Sequence, residues 1–344
     1  MKKYVLHSLS TNKGNNAGTK AGRDAIEIAI KSNYKFIKLY SPSGNHTSIV
    51  NFIDGFFNSL SLYRQLESGD IVFLQYPVNR LLMKLIFRIL SKINIHIITL
   101  IHDIDYLRGI PLGRKGVEGM KNLELSLLRQ SEYIICHNKF MMNALRNAGL
   151  KNKLKSLRIF DYLYTGNDAM ASDDDKVIIA GNLAEQKAGY LYKLKDQGFK
   201  LSLYGSNLVN KFQNSNFVYH GSFPPDVLIE HLEGSYGLVW DGDECDTCSG
   251  AYGNYLKINN PHKTSLYLAA GLPVIVWKES ALYPFVMENE VGFGVNSLYE
   301  IENEIKNHNW SHLKDNVQKV QNKIRNGEYL KQVLSEIEED IQHV

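Results

Sequence analysis

Cysteine is scarce in this sequence: only Cys136, Cys245 and Cys248 occur among 344 residues. Three cysteines cannot form the disulfide framework of a small extracellular scaffold, and they are typical of a reducing cytoplasm. Cys245 and Cys248 have the spacing of a zinc or redox pair, but no second pair of ligands stands near them in the sequence. A structural zinc site needs four ligands. We therefore interpret these two cysteines as ordinary thiols in a loop.

A long uncharged apolar run is also missing. The most apolar window, residues 81–101, is interrupted by Lys84, Arg88 and Lys92, whereas a membrane-spanning helix needs about 20 nearly uncharged residues. No signal peptide is expected, because a predicted strand at residues 4–9 begins almost at once. We expect a cytoplasmic protein, and we leave open a peripheral position at the inner face of the plasma membrane.

Charge is divided unevenly along the chain. Residues 1–165 hold 24 Lys and Arg against 11 Asp and Glu, a net charge of +13, whereas residues 166–344 hold 15 against 25, a net charge of −10. This asymmetry predicts that the first half faces something anionic. The densest basic run, from Arg146 to Arg158, is either a solvated face or a contact for an acidic membrane surface or a pyrophosphate lipid. No nucleic-acid-binding motif accompanies the charge, so nucleic acid is not an expected partner.

Short apolar runs alternate with helix-length amphipathic segments through the whole sequence. The predicted strands are residues 4–9, 36–40, 71–76, 95–101, 133–136, 177–180, 201–204, 217–219, 237–240 and 274–277. Strands that are apolar on both faces and alternate with helices indicate parallel sheets covered on both sides. A polar, acidic stretch at residues 164–175 suggests a linker. We predict an α/β protein with two doubly wound, Rossmann-like domains, 1–165 and 166–327, a deep cleft between them, and a C-terminal helix in 328–344.

One predicted helix, residues 79–93, has two interpretations. Its leucines and isoleucines fall on one helical stripe, which is typical of core packing. The alternative is a membrane-surface helix with Lys84, Arg88 and Lys92 at its rim.

The most informative stretch is residues 236–277. A buried strand is followed by Asp241, and a helix opens at Lys263, Thr264 and Ser265 before a Gly271-Leu-Pro273 turn and another buried strand. A helix N-terminus has unpaired N–H groups and a partial positive charge, which suit a phosphate. Ligands of open α/β sheets bind beyond the strand ends. This pattern predicts capture of a nucleotide diphosphate.

The same reasoning extends to the strand ends before it, where small and hydrogen-bonding residues suit a base and a ribose; ordinary strand-to-helix turns are the alternative. The predicted donor-binding residues are Gly181, Asn182, Tyr204, Gly205, Ser206, Asp241, Asn260, His262, Lys263, Thr264 and Ser265. Asp241 and Asp243 also have the form of a metal-binding Asp-x-Asp motif. Lys263 can neutralise a diphosphate without a metal, so no metal is expected.

Two loops of the first half are candidates for the chemical step. Residues 10–22 contain Gly14, Gly18 and Gly22, which let a backbone approach a ligand closely. Gly18 and Thr19 are candidate acceptor contacts, and a flexible surface loop is the alternative.

The second loop, residues 102–105, places His102, Asp103 and Asp105 directly after a buried strand. Titratable groups there are costly unless they are used or paired, so a carboxylate or His102 is a candidate general base. The alternative is that Asp103 caps the next segment and His102 pairs locally.

Several stretches resemble known enzymes. The helix and Gly-Leu-Pro turn at residues 263–275 resemble the nucleotide-sugar half of GT-B glycosyltransferases. A closer resemblance is to bacterial β-1,6-galactofuranosyltransferases of polysaccharide assembly, and it lies in residues 100–105, 108–109, 159–163, 180–183, 237–243, 247–253 and 259–268. The Asn-Pro-His-Lys-Thr-Ser block, residues 260–265, is the most specific part. The streptococcal glucosyltransferases that act on serine-rich adhesins are similar more distantly.

This resemblance implies a GT-B fold and an inverting, metal-independent transfer without a cofactor. The donor would be UDP-galactofuranose, and the acceptor a glucosyl residue on a lipid-linked oligosaccharide. Inversion needs a general base, for which Asp103 or Asp105 is preferred and His102 comes next. Three alternatives stay open: a UDP-glucose-dependent adhesin glucosyltransferase, a non-hydrolysing sugar epimerase, and a non-catalytic carbohydrate-binding partner in polysaccharide assembly. The sequence also leaves open whether the chain forms a homo-oligomer.

Overall fold

The computed structural model describes residues 1–7, 17–39, 48–77, 80–109, 116–195, 197–209 and 216–343. The chain divides into two compact units. The first contains the N-terminal strand, Ala21–Leu157 and the chain from Tyr329 onward, and the second contains residues 17–20 and Arg158–Glu328. The long stretch of the second unit starts at Arg158, and the polar stretch at residues 164–175 lies within it.

The first unit is built on a parallel sheet with the strand order β2-β1-β3-β4-β5-β6. Its strands are β1 (Lys3–His7), β2 (Lys35–Lys38), β3 (Ile71–Tyr76), β4 (His96–Ile101), β5 (Tyr133–Cys136) and β6 (Lys153–Ser156). The central strands β3 and β5 are buried at every position, as expected for parallel strands with helices on both faces.

Helices connect these strands, because parallel neighbours require crossover connections. They are α1 (Ala17–Lys31), α2 (Ser48–Tyr63), α3 (Arg80–Leu90), α4 (Asp105–Arg108), α5 (Gly116–Leu128) and α6 (Lys139–Asn147). Helix α6 begins where Asn138 caps it, since the Asn138 side chain accepts hydrogen bonds from the N–H groups of Phe140 and Met141.

The second unit has a parallel sheet with the order β10-β9-β8-β12-β13-β14 and a short pair, β7 with β11. Its strands are β7 (Met170–Ala171), β8 (Lys176–Asn182), β9 (Lys200–Ser206), β10 (Phe217–Tyr219), β11 (Glu233–Gly234), β12 (Tyr236–Val239), β13 (Val274–Trp277) and β14 (Gly292–Val295). Trp240 and Trp277 meet edge to face in its core, with ring centroids 6.5 Å apart.

Longer and shorter helices surround this sheet. They are α7 (Glu185–Ala188), α8 (Gly250–Tyr255), α9 (His262–Ala269), α10 (Tyr283–Asn289), α11 (Ile301–Asn307) and α12 (Trp310–Arg325), and the chain ends with α13 (Glu328–Gln342). Single 3-10 turns lie at Gly189–Tyr192, Leu228–His231 and Leu298–Glu300. Gly271 follows α9 with φ +79°, the left-handed conformation in which glycine commonly ends a helix.

Helix α13 is held in the first unit by polar contacts. Glu338 accepts hydrogen bonds from Lys3 and from the Tyr34 hydroxyl, each at 2.8 Å. Asp340 lies 2.7 Å from the Lys155 ammonium. The C-terminal helix therefore packs with the strands at the start of the chain.

Each of the ten predicted strands is present, but the basic run from Arg146 to Arg158 has more structure than the sequence suggested. It contains β6, whose Lys153 pairs with Glu132 at 3.0 Å and whose Lys155 pairs with Asp340. Much of its charge is therefore balanced within the first unit. Within the described ranges, no helix has the length and apolar character needed to cross a bilayer.

Candidate functional site

The carboxyl ends of β8 and β9 bring together four predicted donor-binding residues. In the parallel register, Gly181 lies beside Gly205 and Asn182 beside Ser206. Gly205 has φ +145°, and a Cβ there would lie 1.7 Å from the carbonyl oxygen of Gly181. Only glycine fits that position, and the two backbones approach closely at this strand end.

Asn182 is exposed at this strand end, and its neighbours orient it. Its Oδ1 accepts hydrogen bonds from the Ala184 N–H at 3.1 Å and from the Asn207 side chain at 2.9 Å. Asn207 has a positive φ of 65°, which asparagine tolerates better than most residues. The turn therefore presents an ordered polar rim.

The next strand supplies a nearly buried ion pair. Asp241 follows β12, and its Oδ1 lies 2.7 Å from the ammonium of Lys263 near the start of α9. The same ammonium donates to the Trp240 carbonyl at 2.9 Å. The side chains are 14% exposed for Lys263 and 9% for Asp241. Burial lowers the pKa of Lys263, and the charge of Asp241 opposes that shift.

A second cation stands near this pair. The charge of Lys187, on α7, also lowers the pKa of Lys263. The Lys187 carbonyl accepts a hydrogen bond from the Gly242 N–H at 2.9 Å, so α7 is tied to the loop after β12. Lys187 was not predicted as a site residue, because nothing in its local sequence pattern separates it from a solvated lysine.

The first turn of α9 differs from the prediction in its details. Thr264 and Ser265 are both buried. The Ser265 hydroxyl donates to the Phe160 carbonyl at 2.7 Å, and the Thr264 N–H donates to the Pro261 carbonyl at 3.0 Å. The N-cap residue of this helix, Pro261, makes no side-chain capping hydrogen bond, and the N–H groups of His262 and Lys263 lie at the start of the turn.

Asn260 and His262 contact the segment after residue 157. The Asn260 side chain donates to the Arg158 carbonyl at 2.8 Å. The His262 ring lies 5.3 Å from that of Tyr162 and 5.9 Å from that of Phe160. Burial and the charge of Lys20 lower the pKa of His262 to about 3, so the imidazole is neutral at pH 7. These contacts hold the start of α9 in place.

Tyr204 has a different position from the other predicted donor residues. Its ring stacks on His220 with centroids 4.6 Å apart, and its hydroxyl accepts a hydrogen bond from the Glu233 N–H at 3.1 Å. Burial raises the pKa of Tyr204 to about 12. The structure therefore places this side chain in the core.

In the first unit, His102 follows β4 and is oriented by Gln75. The His102 Nε2 lies 2.6 Å from the Gln75 Oε1, and the Gln75 amide donates to the Gly22 carbonyl at 3.2 Å. Since an amide oxygen only accepts, this network assigns the proton of the neutral ring to Nε2.

Asp103 and Asp105 share one cation. Arg108 lies 2.7 Å from Asp103 and 3.8 Å from Asp105. The α4 turn, which carries Asp105 and Arg108 and follows Asp103, is anchored by Glu124, a fully buried carboxylate. Glu124 accepts hydrogen bonds from the N–H groups of Asp105 and Tyr106 at 3.2 and 3.0 Å.

Glu124 also accepts a hydrogen bond from the Tyr76 hydroxyl at 2.7 Å. This carboxylate was not predicted as a functional residue. The available signal was an acidic residue on the buried side of α5, beside Met120, Leu127 and Leu128.

Other candidates are placed as follows. Gly18 and Thr19 lie in the first turn of α1, and residues 10–16 of their loop lie outside the described residues. Cys245 and Cys248 are buried free thiols, and burial raises the pKa of both. Within the described ranges, no group of three or more His, Cys, Asp and Glu side chains is arranged to hold a metal ion.

Comparison with known proteins places the chain in a family. The model of the glucosyltransferase 3-like N-terminal domain matches residues 3–159, and that of the glucosyltransferase 3-like C-terminal domain matches residues 177–337. The β-1,6-galactofuranosyltransferase WbbI of Escherichia coli (strain K12) is 33% identical, over 98% of this chain and 99% of its own. Glucosyltransferase 3 of Streptococcus gordonii is 26% identical, over 88% and 86%.

Among solved structures, a sucrose-phosphate synthase (tll1590) from Thermosynechococcus elongatus has the same fold. Its TM-score is 0.67 at 11% identity, with all of both chains covered. The GT-B fold predicted from the sequence is thus confirmed, and so is the resemblance to galactofuranosyltransferases and streptococcal glucosyltransferases. The chain belongs to the glucosyltransferase 3-like family of glycosyltransferases.

Proposed function

We propose that this glycosyltransferase moves galactofuranose from UDP-galactofuranose to a glucosyl residue of a lipid-linked cell-surface polysaccharide precursor, with inversion and without a metal. The choice of sugar rests on the 33% identity to a β-1,6-galactofuranosyltransferase over nearly the full length of both chains. The choice of an activated sugar as donor rests on one structural observation, the buried Lys263–Asp241 pair at the start of α9.

Among the described residues, the Lys263 ammonium meets two acceptors, which leaves one donor for a phosphate. An ammonium group has three N–H donors, and two of them go to Asp241 and to the Trp240 carbonyl. The third, together with the first-turn N–H groups of His262 and Lys263, would hold the diphosphate. Lys187 would add positive charge. Fixed donors at the leaving diphosphate stabilise the charge that develops there, which is the role that a metal ion plays elsewhere.

The uridine would lie against the polar rim at the ends of β8 and β9. Asn182 and Ser206 present hydrogen-bonding groups there. The two glycines beside them, Gly181 and Gly205, add no side chain that would obstruct a ligand at that strand end. Tyr204 is left out of this assignment, because its hydroxyl is held by Glu233.

The general base would come from the loop after β4. Asp103 and Asp105 remain the preferred candidates, and His102 is the next. Each is oriented by the surrounding protein: Arg108 holds the two carboxylates and Gln75 holds the imidazole. A positioned base accepts the proton of the acceptor hydroxyl as the sugar bond forms.

A second donor has support of its own, since both family models describe glucosyltransferase 3-like domains. The test is UDP release from UDP-galactofuranose and from UDP-glucose, with a glucoside and an N-acetylglucosaminide as acceptors, with and without EDTA. The proposal expects release with UDP-galactofuranose and the glucoside, unchanged by EDTA. Release with UDP-glucose and the N-acetylglucosaminide alone would favour the second function. If UDP is neither released nor bound, the result would favour the non-catalytic carbohydrate-binding alternative.

A further inference from the structure

The outward side of α2 and α3 combines exposed apolar side chains with basic ones. Helix α2 exposes Ile53 (47%) and Phe57 (62%), and helix α3 exposes Leu81 (65%). Apolar patches of this kind mark contact surfaces more often than isolated exposed residues do. The α2–α3 face is defined by Ile53, Phe57, Leu81, Lys84, Arg88 and Lys92.

These residues share one surface because the two helices pack side by side. A Cβ at Gly55 would lie 2.5 Å from a methyl group of Leu82, so the helices touch at that point. Leu82, Ile86 and Leu90 are buried. By helical periodicity, positions 81, 84 and 88 turn away from the core. The apolar stripe of this helix thus packs in the core as its first interpretation predicts, and Leu81 at its start is the exposed member.

The apolar part of the face is ordered. The rings of Phe56 and Phe57 meet edge to face, with centroids 5.5 Å apart. A ring that is already held loses less conformational freedom when a partner covers it.

The basic part is not balanced by the protein. Lys84, Arg88 and Lys92 are exposed, and in the described part of the chain none of them lies within 4 Å of a carboxylate. In contrast, Lys153 and Lys155 of the basic run are paired. The acidic group exposed beside Ile53 is Asp54, so the face keeps a net positive charge.

We propose that the α2–α3 face docks on an anionic lipid bilayer. Lysine is depleted in protein–protein interfaces, whereas helices that lie on membranes place Lys and Arg around exposed apolar residues. The long side chains of Lys84 and Lys92 can extend their charged ends to headgroups while Phe57 and Leu81 enter the acyl boundary. Docking rests on the proposed function in one respect: a lipid-linked acceptor lies at the membrane, so the enzyme must reach that surface to use it.

The test is co-sedimentation of the full chain with vesicles. Phosphatidylcholine vesicles containing about one third phosphatidylglycerol are compared with pure phosphatidylcholine, because a Lys or Arg at an anionic surface contributes about 1 kcal/mol, or about fivefold in partitioning. The parent should bind the anionic vesicles much more strongly and release them at high salt, where screening is short-ranged. The triple variant Lys84→Gln/Arg88→Gln/Lys92→Gln should lose about 100-fold in partitioning. Phe57→Ser should also weaken binding.

Matched controls change the same chemistry elsewhere. Lys319→Gln/Lys323→Gln/Lys331→Gln removes three exposed charges from α12 and α13, and Met170→Ser removes an apolar side chain that is 57% exposed. Both should bind vesicles like the parent. Circular dichroism checks that every variant is folded.

Each outcome decides the proposal. Equal binding to both vesicles, no binding, or unchanged binding in the triple variant or in Phe57→Ser overturns it. So does a homodimer in the absence of lipid that Phe57→Ser dissociates, since the face would then serve a second copy. UDP release with a soluble acceptor is measured on the same variants and should be unchanged. If vesicles bind but no donor is turned over, docking stands and the proposed function fails.

Discussion

Replacement of Lys263 by methionine tests the central feature of the donor site. The change keeps the length of the side chain and removes its charge. Asp241, which is 9% exposed, would then remain as a nearly buried carboxylate without its cation. Removing one partner of a buried ion pair costs about 3–5 kcal/mol, so Lys263→Met should lower the free energy of unfolding by about that amount.

Turnover should fall for a separate reason. A fixed donor aimed at developing charge contributes roughly 100- to 1,000-fold to turnover, about 3–4 kcal/mol. We expect Lys263→Met to lower the rate of UDP release at saturating donor and acceptor by at least about tenfold, which corresponds to about 1.4 kcal/mol.

Two further variants separate stability from catalysis. Lys257→Met breaks a salt bridge to Glu279 of similar length, 2.8 Å, but its side chains are 45% and 59% exposed. Surface pairs contribute only about 0–1 kcal/mol, so this control should change neither the free energy of unfolding nor the rate of UDP release appreciably. The double variant Lys263→Met/Asp241→Asn should recover stability, because no unpaired charge remains, but it should not recover turnover.

Urea unfolding and UDP-release assays on the four proteins check these expectations. Parent-like turnover in a folded Lys263→Met protein would refute the phosphate assignment. A stability loss no larger than that of Lys257→Met would refute the importance of the buried pair.

Three other predictions concern the fold and the base loop. Gly205→Ala should lower the free energy of unfolding by roughly 3 kcal/mol or more, because its Cβ would meet a carbonyl oxygen at 1.7 Å. Gly221→Ala has φ +92° and no atom within 4 Å of the added Cβ, so it should lose only about 1–2 kcal/mol. Equal losses in urea unfolding would argue against the clash. Glu124→Gln should lower stability by about 2 kcal/mol, since it removes charge-assisted hydrogen bonds, and should slow turnover without changing donor affinity; unchanged kinetics would mean that this carboxylate does not support the base loop. Burial lowers the pKa of His137 from 6.5 to about 3. Between these two pH values the unfolded chain binds a proton that the folded chain does not, so the free energy of unfolding falls with falling pH by about 1.4 kcal/mol per pH unit. The variant His137→Asn should lose less stability than the parent between pH 7 and 5, and identical slopes would contradict this.

Local pattern was enough for most of the fold. The ten predicted strands are present, and interior ones such as β3 and β5 are apolar runs buried on both faces. Helices α3 and α13 lie within the predicted ranges 79–93 and 328–344. Helix α2 was missed. Its apolar residues lie on more than one side of the helix, since Ile53 and Phe57 are exposed whereas Leu62 is buried.

Strand β6 was missed for the opposite reason. Its sequence, Lys-Leu-Lys-Ser, is mostly polar, and only Leu154 is buried. An edge strand can carry charge because one side of it has no neighbouring strand. Its position at the edge of the sheet is a property of strand order, which no local pattern contains.

The sequence by itself determined that a lysine stands in the first turn of α9 after a buried strand, and its motifs determined the family. Only the tertiary structure decided which partner each polar group meets. Lys263 pairs with Asp241, the Ser265 hydroxyl bonds to Phe160, and Glu124 anchors the turn of Asp105. These contacts join residues far apart in the chain, and they depend on the order and register of parallel strands, which set distances that spacing along the sequence does not encode.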